Sequence, residues 1–326
     1  MRAIKRKLLL GVATSALFLF LATRGIDWRA FQSAFADTRY EFLVPGIACT
    51  MLGHFCRSIR WKFMMSPIKK CRVAPLWSAT AIAFMVNNLL PARLGEFVRA
   101  IAIGRTENVS KSAAFATIVY ERVVDVFVLI VLIWYCIVRI NAPSWLLRST
   151  EILIVFNAAL FVLLFVMVRS RERFRGLLNR ALRPLPVRVQ QRVRGSSDAF
   201  IGGLGVVTEA RAALPITLLS VAVWGFAVLG VYFCVLAFDL PLPFLASVFL
   251  IVLVSLGSMI PSAPAFLGTM QYACALGLGV YGVDRGQALA FSTVYHATQF
   301  FPITLTGLYY VWRSHWRLSE LSQSDV

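Results

Sequence analysis

Two interrupted apolar segments constrain the fold of this chain more than any other feature. The first reads NNLLPARLGE at residues 87–96, and the second reads MIPSAPAFLG at residues 259–268. Each joins an apolar run, a proline, a break of small or polar residues and a Leu-Gly pair. Helices broken by Pro and Gly at corresponding places in two halves of a sequence point to the binding site of a transporter. The predicted breaks in the helices are Pro91, Gly95, Pro261, Pro264 and Gly268.

Composition identifies a membrane protein. Of the 326 residues, 59% are hydrophobic and 15% are charged, whereas soluble domains hold about 45–50% apolar and about 25% charged residues. The formal net charge of +18 would suggest nucleic-acid binding in a soluble protein. Here the positive charge lies in loops between apolar runs, as the positive-inside rule requires. No nucleic-acid partner is therefore predicted.

Apolar runs and loop charges together predict a topology. A spanning helix needs about 20 apolar residues, and the candidate runs are 8–23, 42–60, 74–104, 113–138, 152–168, 213–237, 244–282 and 287–312. The first run is predicted to be an uncleaved helix, because no A-x-A cleavage site follows it directly. Basic regions at the start, at 57–73, at 169–211 and after the last run are predicted to be cytoplasmic. The nearly balanced loops 24–41 and 139–151 are predicted to be external.

These loop assignments require an even number of crossings between residues 73 and 169, and again between 211 and 313. The uninterrupted runs already supply two crossings in each interval. Segment 74–104 is therefore predicted to be a re-entrant hairpin from the cytoplasm, and 244–282 one from the outside. The expected fold class is an all-α polytopic membrane protein with about six spanning helices and two re-entrant hairpins in an inverted repeat. The alternative is eight plain spans.

A single transmembrane domain is predicted over residues 1–326. Its first inverted half covers about 1–140 and its second about 150–315. The basic cytoplasmic segment 169–211 is expected either to lie on anionic headgroups as an interfacial helix or to bind a soluble partner. The predicted location is the cell (cytoplasmic or inner) membrane, with several passes and both termini cytoplasmic.

Ionisable residues at membrane depth are rare and usually functional. The first hairpin carries Arg93, Glu96 and Arg99 at intervals of three residues, so that they can pair along one helix face. Either Arg93 or Arg99 grips a lipid phosphate in a bidentate way, or the three residues form an internal salt bridge that holds the hairpin. Asn87 and Asn88 precede the turn and can satisfy freed backbone groups or bind a ligand.

The next span carries a second polar group. Glu121 and Asp125 are four residues apart and share a face, and Asp125 lies about 18 Å along a helix that begins near residue 113. Two carboxylates at that depth need a cation nearby or a proton on one of them. Arg93 and Arg99 of the hairpin are the candidates for that cation. A headgroup- or proton-binding cluster and a structural ion network both remain open. The predicted substrate-binding residues are Asn87, Asn88, Arg93, Glu96, Arg99, Glu121, Arg122, Asp125, Gln271 and His296.

Enzyme motifs are missing from the sequence. It contains no GxSxG, HExxH or Walker A motif and no Cys/His cluster. The six cysteines show no CxxC or metal-ligand spacing. The chain is therefore predicted not to be an enzyme and to have no catalytic residues, cofactor or metal. Without a P-loop, any transport would be secondary or downhill.

The residues quoted above resemble those of the lysylphosphatidylglycerol synthase transmembrane-region family, also called the flippase-like domain. The similarity spans nearly the whole chain and depends on NLLPARLGE with Arg99, on Glu121 to Asp125, and on the Pro261–Gly268 segment. The resemblance implies a flippase for aminoacylated phospholipids or other polar lipids. Gln271 stands where the family has Glu, and His296 where an Arg is common, which leaves the headgroup open. We do not expect the soluble aminoacyl-transferase domain of full-length synthases in this chain.

The leading hypothesis is a flippase for a polar-headgroup lipid, either a phospholipid or an isoprenoid-linked lipid. The first alternative is a non-transporting membrane partner of a lipid-modifying or glycan-assembly enzyme. The second is an intramembrane enzyme that acts on a lipid headgroup. The expected partners are membrane lipids and, under the first alternative, a lipid-modifying enzyme or a glycosyltransferase.

Overall fold

Most described residues of the chain lie in α-helices. A computed structural model describes residues 2–90, 94–140, 144–260 and 262–314, and these ranges contain no β-strand. The α-helices are α1 (Arg2–Thr23), α2 (Trp28–Ala36), α3 (Leu43–Met64), α4 (Val73–Leu89), α5 (Gly95–Glu107), α6 (Lys111–Arg139), α7 (Ser144–Arg169), α8 (Arg171–Leu182), α9 (Val187–Gly203), α10 (Ala210–Ala237), α11 (Phe244–Met259), α12 (Thr269–Gly279) and α13 (Arg285–Arg313). The predicted all-α fold class is confirmed.

Three helical segments are long and apolar enough to cross a membrane by length and composition alone. They are Tyr40–Met64, Leu147–Arg169 and Ala210–Ala237. Helices α6 and α13 have 29 residues each, which also exceeds the length needed to span a bilayer, but both carry ionisable side chains. The predicted number of spans therefore stays a prediction.

Helices α3 and α10 form an antiparallel pair at the centre of the molecule. A Cβ atom placed on Gly46 would lie 3.3 Å from Phe233 Cβ, and one on Gly53 would lie 3.5 Å from Phe226 Cβ. Small residues at such positions let two helix backbones approach closely. At one end of the pair, Arg39 and Asp239 form an ion pair of 2.6 Å.

Helices α4 and α5 fold back on each other as the first hairpin. The Asn87 side chain accepts a hydrogen bond of 2.8 Å from the Gly95 amide. A Cβ atom on Gly95 would lie 2.0 Å from the Ala83 carbonyl oxygen, so only glycine fits. The two outer ends of the hairpin meet, because Lys69 Nζ donates to the Glu107 carbonyl at 2.6 Å. The predicted break at Pro91 and the predicted site residue Arg93 lie outside the described residues.

Helices α11 and α12 form the second hairpin. Its turn contains a short 3-10 helix, Pro264–Phe266, and both Ala265 (φ 57°) and Phe266 (φ 58°) adopt left-handed backbone conformations. Gly268 follows with φ 85°, and its amide donates to the Gln271 side chain at 2.7 Å. The turn packs on α4, so the two hairpins meet. Pro261 lies outside the described residues.

The two hairpins begin at opposite ends of the α3–α10 pair. The first follows the C-terminal end of α3 and the second follows the C-terminal end of α10, and these helices are antiparallel. The first arm of each hairpin packs against the last helix of the other half, α4 against α13 and α11 against α6. A Cβ atom on Gly307 of α13 would lie 2.4 Å from Met85 Cβ of α4. These contacts join the halves into one body around the polar site.

The basic segment forms α8 and α9. Arg175 Nε of α8 donates to the Asp198 carboxylate of α9 at 2.7 Å. The C-terminal end of α9 packs tightly on the start of α6, since a Cβ atom on Gly203 would lie 2.3 Å from the Ala113 carbonyl oxygen. The segment is therefore anchored to the helix that carries the polar site, and its contact with lipid headgroups stays a prediction.

Candidate functional site

Helix α6 supplies the carboxylates of the candidate site. Glu121 is fully buried, and Asp125, one turn further on, is 7% exposed. With a rise of about 1.5 Å per residue, they lie about 15 and 21 Å from Lys111 at the start of the helix. Carboxylates buried at this depth must be paired or hydrogen-bonded.

Helix α3 supplies two of their partners. Arg57 Nη1 lies 2.8 Å from Asp125 Oδ2 and 3.1 Å from Glu121 Oε1. Arg60 Nη1 lies 2.7 Å from Asp125 Oδ1 and also donates to Ser220 Oγ of α10 at 2.9 Å. The two arginines are three residues apart and therefore share the helix face that meets α6.

The first hairpin and α6 itself supply the other cations. Arg99 Nη1 of α5 lies 2.9 Å from Glu121 Oε2, and the Arg99 guanidinium stacks 3.9 Å from the centre of the Trp61 ring. Arg122 contacts both carboxylates, and its Nη1 atom lies 3.8 Å from Glu96 Oε1. Arg99 thus pairs with Glu121 of the next helix rather than with Glu96 of its own.

Positive charge exceeds negative charge in this cluster. We call this group of four arginines and three carboxylates the arginine cluster. Among the described residues, its formal net charge is +1. Its members are Arg57, Arg60, Arg99, Arg122, Glu96, Glu121 and Asp125. Six buried guanidinium nitrogens lack a hydrogen-bond partner: Nε of all four arginines, Nη2 of Arg60 and Nη2 of Arg99. A buried cation needs a counter-charge, so the cluster has capacity for an anion.

A cavity of about 180 Å³ adjoins the cluster between α3, α10, α11 and α13. Arg57 belongs both to the cavity wall and to the arginine cluster. The other polar lining residues are Thr50, His54, Trp224, Ser255 and Gln299. Pockets that enclose a drug-sized ligand have volumes of about 300 Å³ or more, so this cavity has room for only a smaller chemical group.

The predicted site residues separate into two groups. Glu96, Arg99, Glu121, Arg122 and Asp125 come together in the arginine cluster. The predicted residues outside it make local contacts. Asn87 caps the first hairpin, Asn88 Nδ2 donates to Thr304 Oγ1 at 2.8 Å, and Gln271 Nε2 lies 2.9 Å from His296 Nδ1. Within the described ranges, the hydrogen bonds of these four residues go to partners outside the cluster.

Arg57 and Arg60 are not among the predicted site residues. Both lie in the region 57–73 that was predicted to be cytoplasmic, but α3 continues to Met64 and buries Arg60 completely. The sequence does contain a pattern that indicates their role. Two arginines lie one helical turn apart with no acidic residue nearby, and two carboxylates lie one turn apart in the later span, so the four side chains can pair. In the described part of the chain, no group of His, Cys, Asp and Glu side chains could hold a metal ion.

Comparison with known proteins yields one family and several relatives. The family model "Lysylphosphatidylglycerol synthase TM region" matches residues 8–307. A UPF0104 membrane protein of Methanocaldococcus jannaschii is 29% identical over 227 residues, which cover 68% of this chain and 91% of that protein. A UPF0104 membrane protein of Methanothermobacter thermautotrophicus is 26% identical over 314 residues, which cover 91% of each chain. No solved structure gives a significant match.

Proposed function

This chain belongs to the lysylphosphatidylglycerol synthase TM region family of integral membrane proteins, and from that premise we propose that it is a flippase that moves a polar-headgroup lipid across the cell membrane. The observation that carries the proposal is the arginine cluster, buried among apolar helices beside a cavity. Flipping is slow without a protein because the headgroup must leave water. A polar path through the protein removes much of that cost.

We propose that the two hairpins are re-entrant and that the two halves form an inverted repeat. The hairpin arms have 17, 13, 16 and 11 residues, which at about 1.5 Å per residue gives about 16 to 26 Å. Each arm is thus shorter than the hydrocarbon core of about 30 Å. The opposite starting points of the hairpins and their reciprocal packing also support the proposal. Re-entrant backbone is tolerated where it is buried in protein or lines a wet cavity.

The same proposal places both termini in the cytoplasm and assigns no catalytic step to the chain. The substrate would be a phospholipid or an isoprenoid-linked lipid. Membrane lipids are then the partners, and the cluster binds the headgroup rather than transforming it. The basic segment α8–α9 would lie on the cytoplasmic side, where anionic headgroups attract arginine-rich helices.

A specific observation favours the alternative of a non-transporting partner of a lipid-modifying or glycan-assembly enzyme. All four carboxylate oxygens of Glu121 and Asp125 already face guanidinium groups. Such a network could act solely as a structural joint between α3, α5 and α6. The difference between the two functions is whether lipids cross faster when the protein is present.

Reconstitution tests the proposal directly. Full-length protein is incorporated into liposomes that contain a panel of headgroup-labelled phospholipids and isoprenoid phosphates, and a membrane-impermeant quencher reports the label that reaches the outer leaflet. We expect at least one lipid to cross faster than in protein-free liposomes. Arg180→Gln, an exposed change in α8, serves as the matched control and should keep the wild-type rate. Equal rates with and without protein for every lipid would favour the non-transporting partner.

A further inference from the structure

The cavity beside the arginine cluster is rich in hydrogen-bond donors. Arg57 lines it, and its buried Nε atom has no partner. Trp224 lines it as well, and its indole Nε1–H is buried without a partner. Gln299 donates from Nε2 to Thr50 Oγ1 at 2.8 Å in the same wall. Unsatisfied buried donors are rare in native proteins, so their concentration here indicates a ligand that accepts hydrogen bonds.

Two further cations share carboxylates with Arg57: Arg60 through Asp125 and Arg99 through Glu121. Arg60 and Arg99 are buried almost completely, 0% and 1% exposed, and each keeps unpartnered guanidinium nitrogens. The described cluster has four guanidinium groups against three carboxylates. Because an uncompensated buried charge is costly, the ligand that completes the site should carry negative charge. Guanidinium groups bind phosphate in a bidentate geometry, which makes phosphate the best match.

The described part of the cavity wall offers no negatively charged side chain to a positively charged headgroup. The described residues that line the cavity include no carboxylate. The carboxylates of Glu121 and Asp125 are engaged by arginines at both oxygens. An ammonium group in the cavity would therefore face Arg57 without an acceptor of opposite charge.

We infer that the cavity binds a phosphate group of net negative charge and discriminates against headgroups that carry an added ammonium group, such as aminoacylated lipids. The phosphate belongs either to a lipid headgroup or to free phosphate. The conclusion that the phosphate belongs to a lipid rests on the proposed flippase function. The conclusion that the cavity binds phosphate is independent of that function. The inference thus narrows the substrate class to anionic phosphate lipids.

Calorimetric titration of the detergent-purified full-length chain tests the inference. The probes are dihexanoyl-phosphatidylglycerol, its lysyl ester and inorganic phosphate. We expect phosphatidylglycerol to bind at least about tenfold more tightly than the lysyl ester, a difference of about 1.4 kcal/mol. Saturable binding of inorganic phosphate with no binding of either lipid would overturn the lipid assignment and leave free phosphate as the ligand. Equal or tighter binding of the lysyl ester would overturn the selectivity.

Two variants locate the binding in the cavity. Arg57→Lys keeps the charge but loses the planar fork, and Trp224→Phe keeps an aromatic ring but loses the N–H donor. We expect each to weaken phosphatidylglycerol binding about three- to tenfold, the effect of losing one hydrogen bond, and Arg180→Gln to leave it unchanged. Trp224→Phe decides the question if Arg57→Lys does not fold. If every folded cavity variant binds phosphatidylglycerol with wild-type affinity, the ligand does not bind in this cavity.

Transport and binding can fail independently. Selective binding of phosphatidylglycerol without accelerated crossing in liposomes would retain the anion site and remove the flippase function. Accelerated crossing of lysylated and anionic lipids at equal rates would retain the flippase function and remove the selectivity.

Discussion

Arg60 Nη1 of α3 lies 2.7 Å from Asp125 Oδ1 of α6 in the protein interior. The Arg60 side chain is fully buried, and the Asp125 side chain is 9% exposed. This ion pair joins two helices that are separated by the whole first hairpin in the sequence. Removing Asp125 would take the nearest counter-charge from a completely buried guanidinium group, which is costly.

Asp125→Asn should strongly destabilise the protein. The change leaves Arg57, Arg60 and Arg122 with one carboxylate fewer, and breaking a buried ion pair by removing one partner costs about 3–5 kcal/mol. Thermal unfolding in detergent measures the effect. Asp198→Asn is the matched control, because it breaks the exposed Arg175–Asp198 pair and should change the melting temperature little. Equal shifts for the two variants would contradict a buried cluster.

Hydropathy alone predicted most helix positions. The predicted run 113–138 corresponds to α6, Lys111–Arg139, and the run 213–237 corresponds to α10, Ala210–Ala237. The predicted run 42–60 ends four residues before α3 does, at Met64, and Arg57 and Arg60 were counted in the basic region 57–73 because of their charge. Their burial depends on carboxylates more than sixty residues away, which no local pattern contains.

The site was predicted in part for the same physical reason. Ionisable residues in apolar runs identified Glu121 and Asp125 without knowledge of the fold. Two partners were open for Arg99, namely Glu96 on its own helix and the carboxylates of the next span, and tertiary packing brings Arg99 to Glu121. Asn87 and Gln271 each accept a hydrogen bond from a backbone amide at the turn of a hairpin. The Pro and Gly positions indicated where the turns lie but not which side chains would accept these hydrogen bonds.

Gly95→Ala should destabilise the first hairpin. The added Cβ atom would lie 2.0 Å from the Ala83 carbonyl oxygen and 2.6 Å from Asn87 Oδ1, so α5 must move away from α4. Gly176→Ala in α8 is the matched control, because no neighbouring atom lies within 4 Å of its added Cβ. That control should be neutral or stabilise by up to about 1 kcal/mol through helix propensity. Thermal unfolding of both variants is the measurement, and equal stability of both would contradict the close contact.

Gln271→Leu should destabilise the second hairpin. Gln271 accepts a hydrogen bond from the Gly268 amide at 2.7 Å and lies 2.9 Å from His296 Nδ1. Leucine would leave both groups unpaired in a buried environment, at about 1–3 kcal/mol for each unsatisfied group. Gln191→Leu, an exposed change in α9, is the control. A melting temperature equal to that of the control would show that this pair does not hold the turn.

Cysteine accessibility should place the two ends of the first hairpin on the same side of the membrane. Lys70→Cys and Lys111→Cys, introduced into a variant without native cysteines, should react only from the cytoplasm. The contact between Lys69 and Glu107 is the reason for this expectation. Val280→Cys, at the end of the second hairpin, should react only from outside. Reaction of positions 70 and 111 from opposite sides would instead support eight plain spans.

Loss of a cation from the arginine cluster should lower the thermal stability of the protein less than loss of a carboxylate. Arg99→Gln leaves three guanidinium groups against three carboxylates, and Glu121 keeps contacts with Arg57, Arg60 and Arg122. Glu121→Gln leaves four guanidinium groups against two carboxylates and should unfold at a clearly lower temperature.

We therefore expect Arg99→Gln to retain most of its thermal stability and to slow lipid crossing in liposomes about tenfold or more, the effect of losing about 1.4 kcal/mol of headgroup binding. Arg180→Gln should match the wild-type protein in both measurements. If Arg99 serves only as a structural partner of Glu121, transport by Arg99→Gln should fall no more than its stability does. A stable Arg99→Gln protein that transports at the wild-type rate would remove Arg99 from the headgroup site.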